Sequence, residues 1–260
     1  MTSILVTNDD GVHSAGLLRL AEVLEALGEV TVVAPDREKS ASSHALTLHR
    51  PVRIRGFEAR RFMVDGTPSD CVYLGALQVL ERKPDLVVSG INHGSNIGDD
   101  VTYSGTIAAA FEGTILGIPS FAISLAGADM SDFTAAAMVA ELIAGKILAD
   151  RLPRDTLLNV NVPADEIKGL RCTRQGRRIY DETVHRGVDP RGNEYYWIGS
   201  GEVPHMDQGP DTDYMAVREG FVSVTPLHLD LTHYESLELM SRDWGADLES
   251  SLLRLTSRSI

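Results

Sequence analysis

The sequence is short of cysteine, of basic residues and of long apolar runs, and each shortage excludes something. Two cysteines, Cys71 and Cys172, lie far apart and neither has a metal-ligating neighbour spacing, which fits a reduced, cytoplasmic protein rather than a disulfide scaffold. Lysine and arginine number 24 against 37 aspartates and glutamates, a formal net charge of −13. A surface this acidic repels polyanions, arguing against a nucleic acid polymer or an anionic membrane as partner. A small anionic ligand remains possible, because one bound divalent cation reverses the local field. No stretch approaches the roughly 20 apolar residues of a membrane span. The start, Met1-Thr2-Ser3-Ile4-Leu5-Val6, enters a strand pattern without the basic start and cleavage site of a signal peptide. No internal repeat or low-complexity segment interrupts the chain.

What is present is an ordinary globular composition, 43% hydrophobic over 260 residues, with alternating strand and helix patterns. Ser3 to Thr7 and Val30 to Ala34 are short, almost continuously apolar strands. Between them Ala15 to Leu27 has leucines at helical spacing, and Gly28 stops it. Val52 to Arg55 and Arg61 to Val64 suggest a hairpin through Gly56. Ser69 or Asp70 can cap a helix to Leu80. Further strands follow at Asp85 to Ser89, Ser120 to Leu125 and Thr156 to Val162, with helices at Thr106 to Leu116 and from Ser131-Asp132 to Leu148. Such alternation predicts an α/β fold, a doubly wound, mostly parallel sheet. From about Arg171 to Asp213 the helical period disappears. Tyr195-Tyr196-Trp197-Ile198 after the turn Arg191-Gly192-Asn193 reads as an extended arm or hairpin. A strand returns at Phe221 to Thr225, and a short helix from about Tyr234 closes the pattern. Residues 1–170 are expected to form a Rossmann-like catalytic core. Residues 171–260 are expected to supply the arm, the returning strand and a C-terminal helix for oligomerisation.

The strongest local signal is Asn8-Asp9-Asp10-Gly11, immediately after the first strand. In a doubly wound sheet that turn lies at the ligand-binding edge. A nucleotide-cofactor oxidoreductase would carry Gly-x-Gly-x-x-Gly there, whereas two carboxylates repel a pyrophosphate and suit a hard divalent cation. A single aspartate would be explained by a helix cap or an Asx-turn; the adjacent pair favours the metal. Two other strand ends converge on this edge, Pro35 to His44 and Ser89 to Asn96. Spacing does not choose Ser40 over Ser42, or Asn92 over Asn96. Tyr103-Ser104-Gly105-Thr106 opens a helix, whose N-terminal N–H groups make a phosphate seat with Ser104 as cap. Asp99-Asp100 reads as loop solvation. His13, His44, His49 and His93 lack the spacing of a zinc site. Cys71 reads as core.

The combined pattern is more specific than its parts. Val6-Thr7-Asn8-Asp9-Asp10-Gly11, Val33-Ala34-Pro35-Asp36-Arg37 with Ser40, Gly66-Thr67-Pro68-Ser69-Asp70-Cys71-Val72, Val88-Ser89-Gly90-Ile91-Asn92 with Gly94 and Asn96, and Tyr103-Ser104-Gly105-Thr106 occur in that order. With Arg174-Gln175-Gly176 and Arg218 to Leu227, this resembles the SurE (survival protein) family of 5′/3′-nucleotidases from residue 3 to about residue 232. The resemblance implies metal-dependent hydrolysis of nucleoside 5′- and 3′-monophosphates to nucleoside and phosphate. It maps the metal ligands to Asp9, Asp10, Ser40 and Asn92, and the phosphate-facing groups to Asn96, Ser104, Gly105 and Thr106. Asp9, Asp10 and Asn96 are then the catalytic set. One divalent cation per subunit is expected, Mg²⁺ or Mn²⁺, in a homodimer or homotetramer. Ser95 departs from the proline frequent in the family, without touching the ligand assignment. An aspartyl nucleophile of the dehalogenase type would need Asp-x-Asp, which the adjacent pair does not provide, so metal-activated water is the expected route. The alternative is a non-catalytic nucleotide- or cation-binding regulator.

Overall fold

The apolar runs of the first half become strands covered on both faces. In the computed structural model the chain is described over residues 1–127, 129–179, 184–198, 205–206 and 209–256. It runs β1 (Ser3–Thr7), α1 (Ala15–Leu24), β2 (Glu29–Pro35), β3 (Ile54–Glu58), β4 (Arg61–Val64) and α2 (Pro68–Leu74), the last extended by a π turn at Gly75–Val79. Then come β5 (Leu86–His93), a 3-10 turn (Gly98–Thr102), α3 (Gly105–Ile115), β6 (Ser120–Ala126), α4 (Thr134–Asp150) and β7 (Thr156–Pro163). Next are β8 (Gly169–Cys172), β9 (Arg178–Ile179), β10 (Val184–Val188), β11 (Glu194–Ile198), β12 (His205–Met206), α5 (Asp213–Arg218) and β13 (Phe221–His228), followed by α6 (Tyr234–Asp243) and α7 (Gly245–Thr256). Two compact units result, Met1–Leu227 and His228–Ile260.

Nine strands form one sheet in the order β3-β4-β2-β1-β5-β6-β7-β13-β8. Every pairing described within it is parallel except β3 with β4. The chain builds outward from β1 to β2 and β4, then returns to place β5 on the other side of β1. The switch point therefore lies between the carboxyl ends of β1 and β5, where doubly wound sheets bind ligands. Alternation along β1 feeds two cores. Ile4 and Val6 pack with Leu17, Leu20 and Leu24 of α1 and Ala136, Ala140 and Ala144 of α4. Leu5 packs on the opposite face with Val33, Val87, Cys71, Val72 and Ala109.

Several boundaries differ from the sequence reading, for local reasons. Helix α1 ends at Leu24, and turn bonds from Ala26 N to Val23 O and Leu27 N to Leu24 O finish it. Gly56 lies inside β3; the hairpin turns at Ala59-Arg60, with Arg60 at φ 58°. Helix α4 opens at Thr134 because the Asp132 carboxylate accepts from Thr134 N at 2.8 Å. Strand β8 has no counterpart among the sequence expectations: its residues alternate between half-buried and exposed, so no apolar run marks it. The expected arm contains an antiparallel β10–β11 hairpin, and Asp189 Oδ1 accepts from Arg191 N and Asn193 N, each at 2.8 Å, across its turn. Among the described residues no helix is long and apolar enough to cross a membrane.

Helix α2 is capped two or three residues earlier than expected, at Thr67, and ties down a loop that matters for the site. Thr67 is its cap, accepting from Asp70 N at 3.1 Å while Asp70 Oδ2 accepts from Thr67 N at 2.8 Å, a capping box. The buried Asp70 carboxylate also accepts from Thr47 N at 2.9 Å and Thr47 Oγ1 at 2.6 Å, so the loop after β2 is pinned to the helix start. Asp70→Ala would leave these donors without an acceptor and remove half the box. A loss of about 2–4 kcal/mol in urea unfolding is expected, with no change in the slope of the transition.

Candidate active site

The turn after β1 is organised by Asn8, whose Nδ2 donates to Gly11 O at 3.1 Å and to Ser14 Oγ at 2.7 Å. Asp9 and Asp10 inside that turn line a cleft of about 620 Å³. Asp9 is only 5% exposed, and its Oδ1 accepts from Thr106 Oγ1 at 2.5 Å. The same hydroxyl lies 3.1 Å from Asn92 Oδ1, at the end of β5. A hydroxyl has one proton, so two acceptor oxygens are gathered around a donor able to satisfy one. Asn92 is oriented from its other end, where Nδ2 donates to Gly94 O at 2.7 Å. Asp10 is less enclosed, and its Oδ2 takes a long contact from His93 N at 3.4 Å.

Helix α3 can lie against Asp9 only because its first residue is glycine. A Cβ on Gly105 would stand 2.9 Å from Asp9 Cβ, 3.0 Å from Asp9 Oδ2 and 2.7 Å from Ser42 Oγ. Ser104 caps this helix, accepting from Ile107 N at 3.1 Å. Asn96 is fixed from the sheet: its N donates to Asn161 Oδ1 at 2.8 Å, its O accepts from Asn159 and Asn161, and its Nδ2 donates to Ser124 Oγ at 2.9 Å.

The electrostatics of the cleft are one-sided. The carboxylates of Asp9, Asp10, Glu38 and Asp100 line it, and among the described residues no lysine or arginine does. Burial lifts the Asp9 carboxyl to about 6; the Thr106 hydrogen bond opposes this and the Asp10 charge adds to it. Asp10 is raised too, again chiefly by burial, with the His93 amide opposing and Glu38 adding. Among the described residues no cluster of three His, Cys, Asp or Glu side chains is suited to a metal. The donor set is two carboxylates with amide and hydroxyl oxygens, which is the chemistry of a hard divalent cation rather than of zinc.

The same arrangement has relatives. Residues 4–182 match the family described as Survival protein SurE. The chain belongs to the SurE family. It is 55% identical over 241 residues to the 5′-nucleotidase SurE of Syntrophotalea carbinolica, covering 92% of this chain and 96% of that protein. The 5′-nucleotidase SurE of Geobacter sulfurreducens is 55% identical over 243 residues, with 92% of each chain covered. The crystal structure of SurE protein from Aquifex aeolicus aligns with a TM-score of 0.81 at 46% identity, covering 92% of this chain and 98% of that one.

Of the residues singled out in this SurE-family sequence, Asp9, Asp10, Ser40, Asn92, Asn96 and Ser104 all line the cleft. Gly105 and Thr106 are buried behind it, with the Thr106 hydroxyl turned to Asp9 and Asn92. The Ser40 hydroxyl donates to Glu38 Oε1 at 2.6 Å, while Ser42 Oγ is buried beside Gly105 without a hydrogen-bond partner among the described residues. Asp100, which the sequence presents as loop solvation, is a cleft residue, and so is His93. His44 instead pairs with the buried Glu112 at 2.9 Å. Sequence reasoning misses Asn159, Asn161 and Ser124, the anchors of Asn96. A signal for them exists, since polar side chains recur inside the otherwise apolar strands β6 and β7.

The raised Asp9 carboxyl gives a pH signature. A carboxyl whose folded-state pKa exceeds its unfolded value contributes stability below the unfolded pKa, and that contribution is lost as pH rises through the folded one. In chelator, wild type should therefore lose stability relative to Asp9→Asn between about pH 4 and pH 6.5. The rise from 3.8 to about 6 corresponds to about 3 kcal/mol. Denaturant titrations across that range check it, and parallel pH profiles for the two proteins would count against it.

Proposed function

We propose that this chain is a 5′-nucleotidase, a metal-dependent phosphomonoesterase that converts nucleoside 5′- and 3′-monophosphates to nucleoside and phosphate. The carrying observation is the cleft itself, walled by Asp9, Asp10, Glu38 and Asp100 with no lysine or arginine among the described residues, in a chain 55% identical to proteins named 5′-nucleotidase. A phosphate dianion entering such walls is repelled unless a cation accompanies it. That similarity also favours hydrolysis over a purely regulatory nucleotide- or cation-binding role.

Asp9, Asp10, Asn92 and Ser40 would hold one divalent cation per subunit, Mg²⁺ or Mn²⁺. Asp9 and Asn92 already present oxygens to one neighbourhood, and Ser40 would turn its hydroxyl from Glu38. When bound, the cation supplies Lewis acidity and lowers the pKa of a water. Asp9 and Asp10 would also orient a water for in-line attack on the phosphorus. Asn96 would hold a phosphoryl oxygen, and the start of α3, with Ser104, Gly105 and Thr106, would present the positive end of the helix dipole to it. These roles concern positioning and charge, the two contributions that dominate phosphoryl transfer.

The division of labour proposed along the chain gives the chemistry to residues 1–170 and assembly to residues 171–260, in a cytoplasmic homodimer or homotetramer. The support for assembly is exposed apolar surface on β11, where Trp197 is 69% and Ile198 93% exposed.

Three outcomes test this reading. Metal-stripped protein should release no phosphate from AMP or GMP and regain activity with Mg²⁺ or Mn²⁺; full activity in excess chelator is the contrary result. Mn²⁺ at a hundredfold excess over its dissociation constant should stabilise wild type by about 2.7 kcal/mol. Asp10→Asn and Asp10→Ala should gain little from it and hydrolyse little. Equal gains in all three proteins would move the metal off Asp10. Light scattering at micromolar concentration should show at least a dimer, and a clean monomer would refute the assembly.

A further inference from the structure

Asp213 is a fully buried carboxylate, far in sequence from the cleft and without a part in the chemistry derived above. At the start of α5 it collects three backbone N–H groups. Gly98 N donates to Oδ2 at 2.9 Å, Gly176 N to Oδ1 at 2.9 Å and Tyr214 N to Oδ1 at 2.8 Å. Gly98 is gripped from its other side as well, because Gln175 Nε2 donates to Gly98 O at 2.9 Å. The two gripping segments are bound to each other: Arg174 N donates to Asp211 O and Asp213 N to Arg174 O, each at 3.0 Å. Gly176 lets them close, since a Cβ there would stand 2.9 Å from Asp213 Oδ1.

Gly98 ends the loop that leaves β5, and Asn96 lies two residues before it. On the sheet side Asn96 is held by Asn159, Asn161 and Ser124. On the other side the loop is held at Gly98, in a left-handed conformation with φ 58°. The geometry points to Asp213 as a positioning residue for catalysis: through Gly98 it sets the loop that presents the Asn96 amide to the phosphoryl group. This rests on the role proposed for Asn96. Asp9 and Asp10 lie outside the clamp, and Asn92, which donates to Gly94 O in the same loop, is anchored where Gly94 N donates to Leu125 O of β6, so the clamp governs phosphoryl contact and leaves cation binding alone.

The conservative variant Asp213→Asn isolates this link. Its amide oxygen can keep Gly176 and Tyr214, but its NH₂ then faces the Gly98 N–H, donor against donor. With AMP and saturating Mn²⁺, kcat should fall about tenfold or more, the scale on which misplaced contacts act. Mn²⁺ affinity by calorimetry should match wild type. In an Asn96→Ala background the same change should cost less than about twofold, because coupled residues are non-additive. An equal factor in both backgrounds, or a loss of Mn²⁺ affinity, overturns the proposal while leaving the reading of Asn96 intact. An Asn96→Ala enzyme with full activity removes that reading and this coupling together. Should Asp213→Asn fail to fold, Gln175→Ala, which deletes only the bond to the Gly98 carbonyl, goes through the same cycle. There too a kcat loss that shrinks in the Asn96→Ala background supports the clamp, and an equal loss in both backgrounds overturns it.

Discussion

Negative charge gathered at the carboxyl edge of a parallel sheet, with no lysine or arginine lining the cleft among the described residues, is the constraint on which the rest of this structure depends. Four acids line the cleft, and Asp9 among them is nearly inaccessible to water. Holding that carboxylate ionised is unfavourable enough to lift its pKa to about 6. At neutral pH the proton is lost, and Asp9 adds its charge to an already negative cleft before any substrate arrives. The overall charge of −13 pushes in the same direction at longer range, so a free nucleotide anion meets repulsion where a metal-bound one does not.

The scaffold makes such a site possible by carrying its oxygens on ends of buried parallel strands. Strands β1 and β5 are hydrogen-bonded neighbours, from Ile4 with Leu86 to Thr7 with Ser89. Asn92 lies within β5, opposite Ser124 of β6, while Asp9 lies two residues beyond β1 in the turn that Asn8 organises. Helix α3 is laid across those ends, and Gly105 removes the one side-chain atom that would hold it off. Thr106 then sits behind both oxygens, a buried hydroxyl whose place follows from the packing of the helix. Position comes from the apolar core, and chemistry from the few polar atoms allowed at its rim.

That division explains what can be read from sequence alone. Continuous apolar runs such as Val30 to Ala34 announce strands buried on both faces, so the sheet and its switch point are legible. The pair Asp9-Asp10 is legible as part of the active edge because it directly follows the first strand of a doubly wound sheet, and both residues line the cleft. The family resemblance names Ser40 and Asn92, which spacing leaves level with Ser42 and Asn96. Thr106, Asn159, Asn161 and Asp213 act through tertiary contacts between segments distant in sequence. No local period or motif spacing encodes those contacts, and a threonine at a helix start reads first as helix chemistry. Strand β8 is invisible for a related reason: half-exposed strands have no apolar run.

The loops around the cleft share one further device. Each is held by a polar acceptor or amide, in addition to any buried apolar side chain such as Val12 or Ile97. The turn after β1 is held by Asn8 on Gly11 and Ser14, the loop after β2 by Asp70 on Thr47, and the loop after β5 by Asp213 on Gly98. Loops expose N–H groups that no ladder satisfies, so an acceptor can fix them where an apolar side chain would leave them unpaired. Asp70 and Asp213 both stand in the first turn of a helix, where the free amides and the helix dipole offset the cost of burying a carboxylate. A first-turn aspartate can thus face two ways, stabilised by its own helix and holding a loop of the active edge. Asp70 and Asp213, backed by helix N-termini, are satisfied within the fold and fix the loops beside the cleft.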